Sequence, residues 1–176
     1  MGEGIFLLWL QNSVRAPWLD AVFTFFTHLG DAGILWIVLG VILLCIPRTR
    51  KMGAATLAAL AVGFLCTNVV LKHLVARPRP WLDVAGLVPL VQEGDPNSFP
   101  SGHTCAAFAF AAAGLGTFPA KWAKVLALAG AVLMGFSRLY VGVHYPSDVL
   151  AGALVGLLAG WIVCTVFARY DRKRLS

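Results

Sequence analysis

Charged residues are scarce in this sequence of 176 residues, because Asp, Glu, Lys and Arg together make up only 12% of it while 59% is hydrophobic. The mean hydropathy of +0.80 lies well outside the usual range of soluble globular domains. A bilayer core about 30 Å thick needs roughly 20 apolar residues per helix, which leaves room for five or six crossings and little else. The sequence therefore predicts an all-α polytopic membrane bundle, a single domain over residues 1–176, and excludes a separate soluble domain.

Cysteine is also rare. The four cysteines, Cys45, Cys66, Cys105 and Cys164, lie in apolar runs and have neither zinc-ligand spacing nor the pattern of a disulfide framework. We interpret them as packing residues and predict neither a metal ion nor a cofactor. The apolar run at 5–10 lacks a basic leading region and a small-residue cleavage site, so no cleavable signal is predicted.

Long apolar runs predict the membrane crossings. Five runs are predicted to be spanning helices: 32–46, 52–71, 103–118, 125–143 and 149–168. The start of the chain is less regular, because the polar stretch "QNSVRAPWLD" interrupts residues 5–29. We count this segment as a sixth crossing, formed by an interfacial helix that leads into a short span or by one helix kinked at Pro17.

The basic residues are unevenly distributed between the two predicted sides. Nine of the fourteen Lys and Arg residues fall in "RTRK" at 48–51, at Lys121 and Lys124, and in "ARYDRKR" at 168–174. Alternating crossings place these three stretches on one side, and short basic loops favour the cytoplasm. Both termini are then cytoplasmic, and segments 72–102 and 138–148 face outward. This distribution explains the net charge of +6 by membrane topology, without nucleic acid as a partner.

Four cations do not follow that rule, because they belong to the outward segments: Lys72, Arg77, Arg79 and Arg138. A single cation at a helix end often reaches toward lipid headgroups, but four together indicate an anion site. Phosphate fits such a cluster, since arginine offers forked donors and lysine a point charge. Arg77 is expected to be a surface charge, with contact to a lipid headgroup as the alternative.

The stretch "PSGH" at 100–103 stands where a predicted span begins, so free backbone N–H groups and the positive end of the helix dipole point outward. Ser101 is also a candidate N-cap, and Gly102 allows a close backbone approach. In "SRLYVGVHYPSD" at 137–148, His144 and Asp148 are four residues apart. A carboxylate at that spacing can orient one imidazole nitrogen and leave the other as nucleophile or base.

Three sequence blocks together resemble the type 2 phosphatidic acid phosphatase family of membrane lipid phosphatases. "KHLVARPRP" fits Lys, six residues, Arg and Pro; "PSGH" is complete; "SRLYVGVH" with the following Asp fits Ser-Arg, five residues, His, three residues and Asp. The blocks span residues 72–148, and the six-helix layout extends the resemblance to nearly the whole chain.

The resemblance implies a role for each matched residue. His144 is expected to attack phosphorus and form a phosphohistidine, Asp148 to orient it, and His103 to protonate the leaving oxygen and then activate water. The residues expected to bind the phosphate are Lys72, Arg79, Ser101, Gly102 and Arg138. Such chemistry depends on positioning and fixed positive charge, so no metal ion is needed.

The expected substrate is a lipid phosphate or diphosphate, with undecaprenyl diphosphate as first choice and phosphatidylglycerol phosphate or phosphatidate as alternatives. Two other classes stay open: an intramembrane serine protease that uses Ser101 and His144, and a non-enzymatic transporter or lipid-binding protein with an anion site. Membrane lipids are the expected surroundings. A homo-oligomer is also left open.

Smaller features give further expectations. Glycines 152, 156 and 160 recur every fourth residue and predict close helix packing within the bundle, with a dimer interface as the alternative. Asp31 follows Gly30 and is predicted to cap the second helix. Residues 81–99, rich in Gly and Pro, are predicted to form a loop that covers the pocket.

Overall fold

The protein is almost entirely helical, as predicted. The computed structural model describes residues 2–175, and the side chains of residues 2–170. The α-helices are α1 (Gly2–Trp9), α2 (Pro17–Leu29), α3 (Ile34–Cys45), α4 (Arg50–Phe64), α5 (Lys72–Val75), α6 (Pro80–Asp83), α7 (Gly102–Thr117), α8 (Lys121–Tyr140) and α9 (Pro146–Leu175). A π-helical segment at Leu65–Leu71 joins α4 to α5, so that 50–75 forms one long helix.

Within the described part of the chain, three helices are long and apolar enough to cross a membrane: Arg50–Val75, Lys121–Tyr140 and Pro146–Tyr170. A fourth crossing is obtained if α2 and the segment Asp31–Cys45, which meet at a 48° bend, count as one. The bend follows from Ala32 and Gly33, whose positive φ angles interrupt the helix. The predicted count of six is not confirmed.

The two ends of the bundle carry different loops. His144 lies just before α9 at one end, which we call the histidine face. At the other end, a cavity of about 510 Å³ brings together Arg48, Lys51, Thr117 and Phe167. The loop between α3 and α4, the end of α7 and the later part of α9 therefore share the opposite face. This confirms the predicted grouping of loops for the described residues.

Helix α1 does not lead across the membrane. Glu3 forms an ion pair with Arg77 and accepts hydrogen bonds from Ser147, so the first described residues lie at the histidine face. Gln11 is bonded to the loop at Gly86 and Val88 on the same face. Residues 5–29 therefore contribute α1 and α2, and contacts of Arg15 before α2 and of Asp31 after it place both ends of α2 at the histidine face. A sixth crossing by this segment is not confirmed.

The same contacts correct the predicted sidedness of the two ends. Glu3 lies at the histidine face, whereas α9 runs for 30 residues toward the opposite face. The prediction that both ends lie on one side is wrong for the described residues. Met1 and Ser176 themselves, and the side chains of the basic cluster from 171 onward, lie outside the described part.

Helix α7 is the central helix, and small residues allow α9 to lie directly against it. A Cβ added at Gly152 would collide with the carbonyl oxygen of Ser101, and one at Gly156 with that of Cys105. Gly160 is held as closely, against the backbone around 109–113. The glycine repeat therefore packs helices within the bundle, as predicted.

Candidate active site

A cavity of about 640 Å³ opens beside α7 at the histidine face. Its polar end is formed by Lys72, Arg79, Asn68, Glu93, Asp95, Gly102, His103 and His144. Its apolar wall is formed by residues of α3, α4 and α7, among them Ile37, Leu57, Leu60, Phe64 and Ala106. One cavity with a charged end and an apolar wall is therefore lined by five of the predicted site residues: Lys72, Arg79, Gly102, His103 and His144.

His144 lies in the short turn between α8 and α9, and its ring is 2% exposed. Arg79 Nη1 lies 3.0 Å from His144 Nε2, and since a guanidinium can only donate, Nε2 carries the lone pair. Nδ1 then carries the hydrogen. Burial lowers the pKa of His144 well below its ordinary value, and the charges of Arg138 and Arg79 lower it further. The imidazole is thus neutral, which is the state that the predicted role as nucleophile requires.

Asp148 lies beside His144 without a hydrogen bond to it. Its Oδ2 is 3.6 Å from His144 Nδ1, a nitrogen that has no hydrogen-bond partner among the described residues. The same Oδ2 accepts from the Tyr145 N–H at 2.8 Å. The predicted pair is therefore brought together, and a movement of well under 1 Å would complete its bond.

Arg77 holds the other oxygen of Asp148, at 2.8 Å. It also bonds Ser147 and Glu3, and its guanidinium stacks 3.8 Å above the ring centre of Tyr145. The prediction that Arg77 is a surface charge is therefore wrong. It links α1 to the start of α9 and fixes the carboxylate behind His144.

Two acidic residues of the covering loop neutralise the predicted phosphate-binding cations. Lys72 Nζ lies 2.6 Å from Asp95, while Glu93 contacts both Arg79, at 3.5 Å, and Arg138. Arg79 and Arg138 are each 1% exposed. Burial raises the pKa of Glu93, but the charges of Arg138 and Arg79 outweigh it and leave that pKa below its ordinary value. Glu93 is thus an anion held where an anionic substrate is expected.

Ser101 lies beneath the cavity and does not line it. Its hydroxyl is fully buried, accepts from the Thr104 N–H, and is bonded by the Thr104 hydroxyl at 2.9 Å. The cap interpretation of Ser101 is confirmed. A Cβ at the neighbouring Gly102 would come within 2.8 Å of Asn68 Oδ1, so a side chain there would require the Asn68 side chain to move.

His103, the first histidine of the site, is bonded to an acid from another helix pair. Its Nε2 lies 2.9 Å from Asp31 Oδ1, and Asp31 Oδ2 lies 2.9 Å from His28 Nδ1. The prediction that Asp31 caps a helix is wrong, since its carboxylate points to these two rings instead.

Sequence reasoning missed Glu93, Asp95 and Asp31 as parts of the site. The first two carried a usable signal, because they are the acids nearest to "PSGH" in a loop already predicted to cover the pocket. Asp31 carried none, since 72 residues separate it from His103. Only the bend between α2 and α3 brings it there.

Comparison with known proteins gives one consistent result. A model of the PAP2 superfamily matches residues 51–172. The chain is 33% identical over 162 residues to the undecaprenyl-diphosphatase of Sulfolobus acidocaldarius, across 92% of this chain and 76% of that protein. It is 38% identical over 160 residues to phosphatidylglycerophosphatase B of Bacillus subtilis, across 85% and 76%. The crystal structure of Aquifex aeolicus LpxE is similar at a TM-score of 0.79 and 31% identity, across 92% and 94%.

Proposed function

Since the chain belongs to the PAP2 superfamily and is a membrane lipid phosphatase of that kind, we propose that it removes the terminal phosphate of a polyprenyl diphosphate. Undecaprenyl diphosphate is the first choice of substrate, and the relative named undecaprenyl-diphosphatase supports it. The relative named phosphatidylglycerophosphatase B supports phosphatidylglycerol phosphate as the second candidate, and phosphatidate is the third.

The observation that carries this proposal is the composition of the cavity. Its polar end holds two histidines and the cations Lys72 and Arg79, while its wall is apolar along α3, α4 and α7. A soluble phosphate would use only the polar end. A lipid phosphate would place its head among the cations and its tail along the wall at membrane depth.

The proposed reaction has two steps. The His144 Nε2 lone pair attacks phosphorus, the bond from phosphorus to the leaving oxygen breaks, and His103 gives that oxygen a proton. His103 then takes a proton from water, whose oxygen attacks phosphorus and releases phosphate from His144. Asp148 supports the charge on His144, and the phosphate oxygens bind Lys72, Arg79 and Arg138 with the backbone of Gly102 at the start of α7.

The proposed orientation places the histidine face outside the cytoplasm. Arg48, Arg50 and Lys51 follow α3 at the opposite face, and Lys121 and Lys124 begin α8 there. Because short basic loops favour the cytoplasm, the cavity would open toward the outer leaflet.

Phosphate release by the purified protein tests the substrate class. The panel consists of undecaprenyl diphosphate, phosphatidylglycerol phosphate, phosphatidate and a soluble sugar phosphate, each supplied in the same detergent. We expect the highest kcat/KM on the prenyl diphosphate and the lowest on the sugar phosphate. Equal rates on all four would contradict a tail-binding wall, and no release from any would contradict the enzyme assignment.

Ser101→Ala separates a phosphatase from a serine protease. Because Ser101 caps α7 and lies below the cavity, its loss should cost about 1 kcal/mol of stability and lower phosphate release by less than about tenfold. A nucleophilic serine would instead be indispensable. Ser101→Thr, which keeps the capping oxygen, is the matched control. Complete loss of activity with phosphate binding intact would argue against the proposed roles.

Glu93→Gln tests whether the loop carboxylate competes with substrate. The amide removes the negative charge between Arg79 and Arg138, so incoming phosphate no longer has to displace it. We expect orthovanadate or inorganic phosphate to inhibit about tenfold more tightly, an affinity gain of about 1.4 kcal/mol. Asp83→Asn, an exposed acid of α6, is the control. Weaker inhibition in Glu93→Gln would show that Glu93 assists binding.

A further inference from the structure

We propose that Asp31 is a positioning residue for the reaction: its carboxylate fixes the ring of His103 and stabilises the protonated form that donates to the leaving oxygen. The proposal rests on the proposed function, since it assigns His103 the acid role. It adds a residue that lies outside all three sequence blocks and comes from the bend between α2 and α3.

The bend between α2 and α3 brings the carboxylate of Asp31 next to the ring of His103. Residues 31–33 form a single 3₁₀ turn between α2 and α3, and Ala32 and Gly33 adopt φ angles of 50° and 73°. Just before it, a Cβ at Gly30 would come within 2.9 Å of the His103 ring. The turn therefore leaves no gap beside His103, and Asp31 Oδ1 reaches Nε2 at 2.9 Å.

The hydrogen bond to Asp31 determines which ring nitrogen of His103 is available for proton transfer. A carboxylate only accepts, so His103 Nε2 carries a hydrogen and donates it to Asp31. The ring lines the cavity, which leaves Nδ1 for the leaving oxygen. In the first step Nδ1–H gives its proton to that oxygen as its bond to phosphorus breaks. In the second step the Nδ1 lone pair takes a proton from the attacking water, while Nε2–H stays on Asp31.

Once substrate binds, Asp31 is the charged group that continues to favour the protonated form of His103. Burial of the ring and Arg138 on α8 disfavour a positive His103, while Asp31 from the bend and Glu93 from the loop favour it; His144 faces it as a neutral ring. Glu93 is already bound to Arg138 and Arg79, and a phosphate that takes those cations displaces it. Asp31 then remains as the carboxylate that is bonded to His103.

A purely structural role is a weak alternative. Asp31 is half exposed, and its second partner, His28, is 55% exposed. Exposed ion pairs of this kind contribute little to stability. Loss of the Asp31 charge should therefore leave the fold intact and act on the reaction.

The test compares two substrates that share a tail and differ in leaving group, farnesyl phosphate and farnesyl diphosphate. The alcohol that leaves the monophosphate needs a proton, whereas the phosphate ester that leaves the diphosphate is a much weaker base. In Asp31→Asn, whose amide keeps the hydrogen bond but not the charge, kcat/KM should fall by about 10²-fold on the monophosphate and by less than about fivefold on the diphosphate. Asp31→Glu should restore most of the loss.

The pH profile supplies a second readout. Removal of a neighbouring negative charge disfavours the imidazolium and lowers the pKa of His103. The alkaline limb of kcat/KM for the monophosphate should therefore move about one pH unit toward acid in Asp31→Asn. His28→Gln, which removes only the outer partner of Asp31, and Asp83→Asn on the same face should keep the wild-type limb.

The outcomes separate this proposal from the proposed function. Wild-type protein that releases no phosphate from either farnesyl substrate would overturn both. Active wild-type protein with an Asp31→Asn variant that keeps the wild-type limb and the wild-type ratio of the two substrates would overturn the role of Asp31 alone. An equal fall in kcat/KM on both substrates, with the alkaline limb of the pH profile unshifted, would mean that Asp31 has a purely structural role.

Discussion

Replacing His144 by alanine is expected to lower phosphate release from a lipid diphosphate by at least about 10³-fold. The reason is the state of the ring: it is neutral, buried at the head of the cavity, and presents the Nε2 lone pair beside Arg79. Removal of the proposed nucleophile leaves only substrate binding and electrostatic stabilisation to act on the reaction. The measurement is inorganic phosphate released per minute by purified protein in detergent.

His73→Ala is the matched control for this variant. His73 is an exposed histidine on α5, bonded to the carbonyl of Val69, and it lies at the same end of the bundle. Its replacement should leave kcat/KM near the wild-type value. Substantial activity in His144→Ala, with both variants monodisperse and equally stable to heat, would exclude His144 as the attacking group.

The second large effect is expected at Arg138. Its guanidinium is 1% exposed at the end of α8 and reaches Glu93 and Thr27, so it stands where a phosphate that displaces Glu93 would bind. Arg138→Lys keeps a positive charge but loses the forked donors that match phosphate oxygens. We expect kcat/KM to fall by about 10²-fold.

Arg15→Lys controls for changes of arginine geometry in general. Arg15 is bonded to Tyr140, Val88 and Gln11 on the same face, and none of these partners lines the cavity, whereas Glu93, the partner of Arg138, does. Arg15→Lys should retain nearly full activity. If Arg138→Lys also retains it, Arg138 serves the ion pair with Glu93 and not the transferred phosphate.

The crossings that sequence predicted well are those set by composition. The run predicted at 52–71 lies within the long helix Arg50–Val75, and that at 149–168 lies within Pro146–Tyr170. An uninterrupted apolar run in a lipid environment has no option other than helix, because each backbone polar group must be bonded within the segment. Local composition is therefore sufficient to find such segments.

For the first thirty residues, the sequence-based prediction of a crossing is not confirmed, because local composition does not determine their arrangement. Their apolar pieces and polar interruptions fit a crossing as well as they fit a helix on one face. The arrangement is decided by Glu3, which bonds Arg77 and Ser147, more than seventy residues away along the chain. Hydropathy carries no information about such a contact.

The site residues also divide into those that the local sequence predicts and those that only long-range contacts reveal. Lys72, Arg79, His103 and His144 could be predicted because their spacing matches known blocks, and they do line one cavity. Asp31 belongs to no block, and its place beside His103 depends on two residues with positive φ. Acids that tune or compete with a catalytic group are recognised only when the fold shows which cation or ring they reach.

The most direct test of the central claim is to find the transferred phosphate on the protein. Turnover of a substrate labelled in its terminal phosphate, quenched within milliseconds, should give protein carrying acid-labile phosphate, and peptide mapping should place it on His144. His144→Ala should carry none under the same quench. Label on another residue, or full turnover without any labelled protein in a quench fast enough to precede hydrolysis, would contradict attack by His144.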